Sequence, residues 1–124
     1  MPIAYWCVLI AALLPIAFVS YAKRGSRNNN TPRNEAAGLA GDRRRAYAAH
    51  QNAYDNFPFF AAAVIIALTM GAPFSTVNNL AILYVALRIA HGVLYIADIS
   101  SARSIAFLAA LVVNIAIFVL PAFK

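Results

Sequence analysis

The stretch that decides the fold is residues 43–70, RRRAYAAHQNAYDNFPFFAAAVIIALTM. It begins with polar residues and becomes almost entirely apolar, as a helix entering a bilayer does. A second stretch, residues 77–96, is apolar apart from a few side chains, among them Arg88, His91 and Tyr95, which are three and four residues apart. This spacing places the three side chains on one face of a helix. Because ionisable groups inside a membrane segment are energetically costly, they indicate a functional site.

The composition is that of a membrane protein. Of the 124 residues, 63% are hydrophobic and 11% are charged, whereas soluble domains are about half apolar and a quarter charged. The length accommodates four spanning helices and leaves no room for a soluble catalytic domain. We therefore expect an all-α, integral membrane four-helix bundle that forms a single domain. The predicted helices are residues 3–22, 43–70, 76–99 and 102–120, with a polar loop at residues 23–41.

The net charge of +6 is concentrated around the first loop, since most of the Lys and Arg residues fall within residues 23–45. Basic residues between membrane helices mark the cytoplasmic side and contact anionic lipid headgroups. No aromatic residues are interleaved among them for base stacking, so we expect a lipid bilayer and not nucleic acid as the partner. With Arg103 beside the third connection, the positive-inside rule predicts that loops 1 and 3 are cytoplasmic.

Depth along the helices predicts which polar side chains meet. A rise of about 1.5 Å per residue puts Asp55 and His91 about 24 and 21 Å from the turn between the second and third helices. Tyr95 and Asn52 lie about one turn deeper, near the cytoplasmic third of the bilayer. Arg88 requires a carboxylate or several carbonyls, and Asp55 is the nearest carboxylate by depth. The sequence leaves two interpretations of this arginine open: a structural ion pair with Asp55, or a direct contact with a ligand.

Other polar residues have structural interpretations. Asn56 and Asn114 are expected to form hydrogen bonds between helices, and Asp42 is expected to cap the second helix. Cys7 is the only cysteine, so it forms no intramolecular disulfide and is expected to pack as a small apolar residue. Two histidines and a single cysteine provide too few ligands for us to expect a metal site.

Two motifs and the start of the fourth helix resemble those of a known family. The segment Ala49–Pro58, AHQNAYDNFP, resembles the helix-2 signature of MAPEG proteins, roughly A-(H/Q)-x-N-x-x-E-x-(F/I/L)-P. These are the membrane-associated proteins of eicosanoid and glutathione metabolism. The segment Arg88–Tyr95, RIAHGVLY, resembles the family's R-x-x-(H/Y)-x-x-x-Y. Arg103-Ser104 is similar to the basic start of its fourth helix, so the resemblance covers essentially the whole chain.

The resemblance implies a prokaryotic-type member, which is a protomer of a homotrimer in the bacterial inner membrane. It further implies glutathione as co-substrate, bound in a cytoplasm-facing cleft between subunits, with a lipophilic electrophile arriving from the bilayer. Arg103 would be the catalytic residue, because a cation beside the thiol stabilises the thiolate nucleophile. The implied glutathione-binding residues are Arg45, Asn52, Asp55, Arg88, His91, Tyr95 and Ser104. The expected function is that of a membrane-bound glutathione-dependent transferase or peroxidase.

Positions at which this chain departs from the family pattern suggest one alternative function, and the small size of the chain suggests another. The family's usual Glu is replaced by Asp55, Gln51 lies in a turn that carries arginines in family enzymes, and Phe107 occupies the position of a family tyrosine. A non-catalytic member of the same fold, which binds lipid or a protein partner, is therefore the alternative. A small multidrug transporter also has four short helices, but such transporters carry a carboxylate in the first helix, and residues 3–22 contain none.

Overall fold

The computed structural model describes residues 1–24 and 39–123. Four α-helices and a terminal 3-10 turn make up nearly all of this part of the chain, which contains no strand, so the protein is all-α as predicted. Most of the predicted first loop, residues 25–38, lies outside the described residues. The helices are α1 (Ile3–Ala22), α2 (Gly41–Thr69), α3 (Phe74–Ile96) and α4 (Ser100–Val119), followed by the turn Leu120–Phe123.

Three of the helices are long and apolar enough to cross a membrane. They are Ile3–Ala22, Phe74–Ile96 and Ser100–Phe123, with mean hydropathies of 2.3, 1.6 and 2.6. The fourth, α2, is not among them because its first half is charged and polar. With 29 residues, α2 is roughly 44 Å long at 1.5 Å per residue. It therefore exceeds the hydrocarbon thickness of about 30 Å, and its basic end can reach the headgroup region.

Both short connections are Schellman turns, in which a left-handed residue follows the helix. Gly71 has a φ of 86°, and Ala72 N donates to Ala67 O at 2.9 Å. At the end of α3, Asp98 has a φ of 64°, and Ile99 N donates to Leu94 O at 3.0 Å. These bonds satisfy helix-terminal carbonyls. They also explain why α3 ends at Ile96 and not at the predicted residue 99.

Helix α2 begins two residues before its predicted start and without a side-chain cap. Its N-cap is Ala40, so the expected capping role of Asp42 was wrong. The Asp42 carboxylate instead accepts hydrogen bonds from Tyr21 Oη at 2.6 Å and from Arg24 Nη2 at 3.2 Å. It thereby joins the end of α1 to the start of α2, across the two ends of the first loop.

The bundle core is built from small residues and a few aromatic rings. Helix α1 packs mainly on α2, and α3 packs mainly on α4. The rings of Phe60 and Tyr84 are stacked across α2 and α3, with centroids 4.0 Å apart. At Gly92 a Cβ would collide with the ring of Phe18, so the missing side chain lets α1 approach α3 closely. Small residues at helix contacts are the usual means of tight packing in membranes.

Hydrogen bonds at the two ends of the bundle fix the helix directions. At the basic end, Arg43 Nε donates to Ala22 O and Arg45 Nε donates to Ile96 O, both at 2.9 Å. These carbonyls end α1 and α3, where unpaired acceptors and the helix dipole attract cations. At the other end Ala4 N donates to Asn78 Oδ1 at 2.9 Å. Helices α1 and α3 thus run parallel, and α2 runs against them.

Candidate functional site

A cavity of about 290 Å³ opens between α2, α3 and α4. Five of its six lining residues belong to the predicted site, and they come from the three segments that carry the family-like motifs. The lining residues are Asn52, His91, Tyr95, Arg103, Ser104 and Phe107. The helical spacing brings His91 and Tyr95 to one face of α3. Helix α4 begins at Ser100, which places Arg103 at the end of its first turn and Ser104 directly after it.

Aromatic contacts organise the basic side of the cavity. The central guanidinium carbon of Arg103 lies 4.4 Å from the centroid of the Tyr95 ring. Tyr95 in turn meets His91 edge-on at 5.8 Å, and His91 lies 5.9 Å from the ring of Phe107. The imidazole is buried, with an exposure of 3%. Among the described residues Arg103 forms no ion pair, so its positive charge is available to an anion in the cavity.

A second cation lies behind Asn52. Arg88 is 4% exposed, and its Nη2 donates to Asn52 Oδ1 at 2.6 Å. Of the two interpretations left open for Arg88, the structure does not contain the ion pair with Asp55, because Asp55 is exposed and forms no ion pair with any described residue. Asp55 lies about 200° around α2 from the buried Ala53 and about 60° from Asn52, on the side of Asn52 that is turned away from the buried face. Depth along α2 alone does not determine this orientation around the helix axis.

Arg45 is also absent from the cavity lining. Its guanidinium bonds to the last carbonyl of α3, Ile96 O, and so helps to position the end of the helix that carries Tyr95. Of the predicted binding residues, Arg45 and Asp55 therefore do not reach the cavity of this protomer, and Arg88 reaches it only through Asn52.

The two asparagines that were expected to join helices do not do so among the described residues. Asn56 Nδ2 donates within α2, to Asn52 O at 2.8 Å and to Asn52 Oδ1 at 3.4 Å. Asn114 is buried in α4, and its Oδ1 has no hydrogen-bond partner. Asn56, four residues after Asn52, thus supports a cavity residue from within the same helix.

Phe107 is the lining residue that was not assigned to the site. It follows Arg103 by four residues in α4, and this helical spacing is the signal that would have placed it on the same face. Cys7 is buried on α1, within the bundle core. In residues 1–24 and 39–123 no group of three or more His, Cys, Asp and Glu side chains is placed to hold a metal ion.

Comparison with protein families identifies the family of this chain. The model described as the MAPEG family matches residues 3–123, nearly the whole chain. The chain belongs to the MAPEG family. No curated protein and no solved structure matches it significantly. MAPEG membership and the three candidate spans together support an integral membrane protein. The MAPEG family includes glutathione transferases and peroxidases as well as non-catalytic members.

Proposed function

We propose that this MAPEG protein is a membrane-bound, glutathione-dependent transferase or peroxidase acting on hydrophobic electrophiles. The observation that carries the proposal is the position of Arg103, which lines the cavity and whose guanidinium lies over the ring of Tyr95. None of the described carboxylates lines that cavity. A guanidinium with free donors next to a bound thiol stabilises the thiolate, which is the nucleophilic form of sulfur.

The chemistry requires only the thiol and an electrophile. The thiol loses its proton to water, and the sulfur lone pair forms a bond to an electrophilic carbon. The leaving group departs with the bonding electron pair, or the displaced pair moves onto the substrate, which then takes up a proton. With a hydroperoxide, the sulfur attacks oxygen, and the O–O bond breaks to give an alkoxide, which is protonated. The resulting sulfenic acid reacts with a second glutathione to give the disulfide and water.

The basic end of the bundle and the apolar side of the cavity would give glutathione and a lipophilic electrophile separate routes of entry. The basic end of the bundle would face the cytoplasm, as the positive-inside rule predicts, so that glutathione enters from that side of the bacterial inner membrane. Phe107 provides an apolar wall on α4, along which a lipophilic electrophile would arrive from the bilayer. The proposed assembly is a homotrimer in which a neighbouring subunit closes the open side of the cavity.

The second candidate is a non-catalytic MAPEG protein that binds a lipid or a partner protein in the same groove. One observation favours it: Asp55, at the position of the family's acidic residue, is exposed on α2 and does not line the cavity. Such a protein would bind a ligand without forming a thiolate.

The test is a titration of glutathione into the detergent-purified protein, followed by thiolate absorbance in the ultraviolet. We expect a saturable signal from the wild type that Arg103→Ala loses. The matched control is Arg44→Ala, because Arg44 is an exposed arginine of the basic end that does not line the cavity, and it should retain the signal. Absence of a signal from a folded wild type would exclude the enzyme and favour the non-catalytic candidate.

A further inference from the structure

The orientation of the Asn52 side chain is fixed by its neighbours. Arg88 has only hydrogen-bond donors, so the atom of Asn52 that faces Arg88 Nη2 at 2.6 Å must be the acceptor Oδ1. Asn56 Nδ2 lies 3.4 Å from the same oxygen and donates to the Asn52 backbone carbonyl at 2.8 Å. The amide therefore cannot rotate by 180° without placing its NH2 group against two donors.

The other end of this amide is a donor without a protein acceptor. Asn52 lines the cavity, and its Nδ2 forms no hydrogen bond with any described residue. Arg103 supplies further donors to the same space. The two nearest acidic residues in sequence, Asp55 on α2 and Asp98 after α3, are both exposed and line no part of it. Within residues 1–24 and 39–123 the cavity thus presents a fixed amide donor and a cation, and no carboxylate that would receive a positively charged group.

The buried charge of Arg88 strengthens this preference. Its guanidinium is almost fully buried and is paired with a neutral amide and not with a carboxylate. An uncompensated cation one side chain behind the cavity wall raises the positive potential there, and this potential is only weakly screened in a low-dielectric surrounding. A carboxylate in the cavity is favoured by both the charge and the donor, whereas an ammonium group is opposed by both.

We infer that Arg88 is a positioning residue that locks the Asn52 amide with its NH2 group toward the cavity, and that the cavity consequently selects a carboxylate of the bound thiol compound and excludes its ammonium group. The identity of the ligand rests on the proposed function, but the selection does not depend on catalysis. The amino group of the thiol compound then lies outside the pocket formed by α2, α3 and α4.

Three thiol-free probes test the selection by isothermal titration calorimetry on the detergent-purified protein. S-hexylglutathione is the reference, its N-acetyl derivative lacks the ammonium charge, and its diethyl ester lacks both carboxylate charges. We expect the N-acetyl derivative to bind about as well as the reference. The ester should bind about tenfold or more weakly, as loss of a charge-assisted hydrogen bond predicts.

Substitutions of Asn52 and Arg88 distinguish a role in positioning the amide from an effect on folding. Asn52→Asp is nearly isosteric and gives Arg88 a counter-charge, but it replaces the donor in the cavity with an acceptor. We expect unchanged or higher thermal stability together with affinity for S-hexylglutathione reduced about tenfold or more. Arg88→Lys keeps a donor for Asn52 Oδ1 and should preserve the preference for the acid over the ester. Arg88→Met frees the amide to rotate and should lose that preference.

The inference is overturned if S-hexylglutathione does not bind the wild type, if the ester binds as tightly as the acid, or if Asn52→Asp binds like the wild type. The glutathione titration of the wild type tests the proposed enzyme independently of these binding measurements. Selective binding of the acid without any thiolate signal would reject the proposed enzyme and leave this inference standing. A thiolate signal with no preference for the acid would reject the inference alone.

Discussion

The guanidinium of Arg103, in the first turn of α4, lies over the ring of Tyr95, near the end of α3, with 4.4 Å between the guanidinium carbon and the ring centroid. The stack spans the turn Ala97–Ile99 that joins the two helices. An arginine over an aromatic face keeps its hydrogen-bond donors in the plane of the guanidinium free for an anion. The tyrosine therefore orients the arginine without neutralising its charge, which a carboxylate partner would do.

Removing this stack should weaken thiolate formation more than removing the phenol oxygen alone. Tyr95→Leu eliminates the ring, and we expect glutathione to saturate at a concentration roughly 3- to 30-fold higher, as a cation–π contact of about 0.5–2 kcal/mol predicts. Tyr95→Phe retains the ring and should stay near the wild type. The thiolate absorbance titration measures both variants. A Phe variant as impaired as the Leu variant would assign the role to the hydroxyl group and contradict the stacking argument.

Arg45 should stabilise the fold and not bind ligand directly. Arg45→Met removes the hydrogen bond from Nε to Ile96 O, and this partly buried carbonyl at a helix C-terminus then loses a charged donor. We expect the free energy of unfolding, measured by denaturation with SDS in mixed micelles, to fall by about 1–2 kcal/mol. Arg44→Met, at the exposed neighbouring position, is the control. Equal losses in the two variants would show that the hydrogen bond is not responsible.

The hydrogen-bond partner of Arg88 can be identified by comparing the stability of two variants. Asn52→Leu leaves the buried guanidinium without the acceptor at 2.6 Å, and we expect a loss of about 2–3 kcal/mol in the free energy of unfolding. Asp55→Asn, one turn along the same helix, should change it by less than about 0.5 kcal/mol because the carboxylate is exposed. The same unfolding assay compares them. A larger loss for Asp55→Asn than for Asn52→Leu would instead favour an ion pair between Arg88 and Asp55.

Gly92 should tolerate no side chain while Phe18 is present. In Gly92→Ala the new methyl group meets the Phe18 ring, and such overpacking costs about 1–3 kcal/mol, although alanine alone favours a helix over glycine. We expect a net loss of stability in the single variant and recovery in the double variant with Phe18→Leu. Additive effects of the two substitutions in this double-mutant cycle would mean that the two residues do not interact.

Much of the candidate site was predictable because its members follow helical spacing. His91 and Tyr95 are four residues apart, and Asn52 lies at a similar depth on α2. All three line the cavity. Asp55 and Arg45 were placed there by depth and by family resemblance, yet neither lines the cavity. Depth measures only the position along an axis, whereas contact also requires the right direction around it, and a partner helix decides which direction is buried.

Local sequence and the packing of the helices therefore determine different features of this protein. The sequence by itself determined that the chain is helical and membrane-embedded, since lengths and hydropathies of apolar segments are local properties. It also determined which polar residues share a helix face. Only the tertiary structure decided that Arg88 bonds to Asn52 and not to Asp55, and that Arg103 stacks on Tyr95. These pairings depend on how the helices rotate to bury their small and apolar faces, and that rotation is set by packing between helices and not by any one segment.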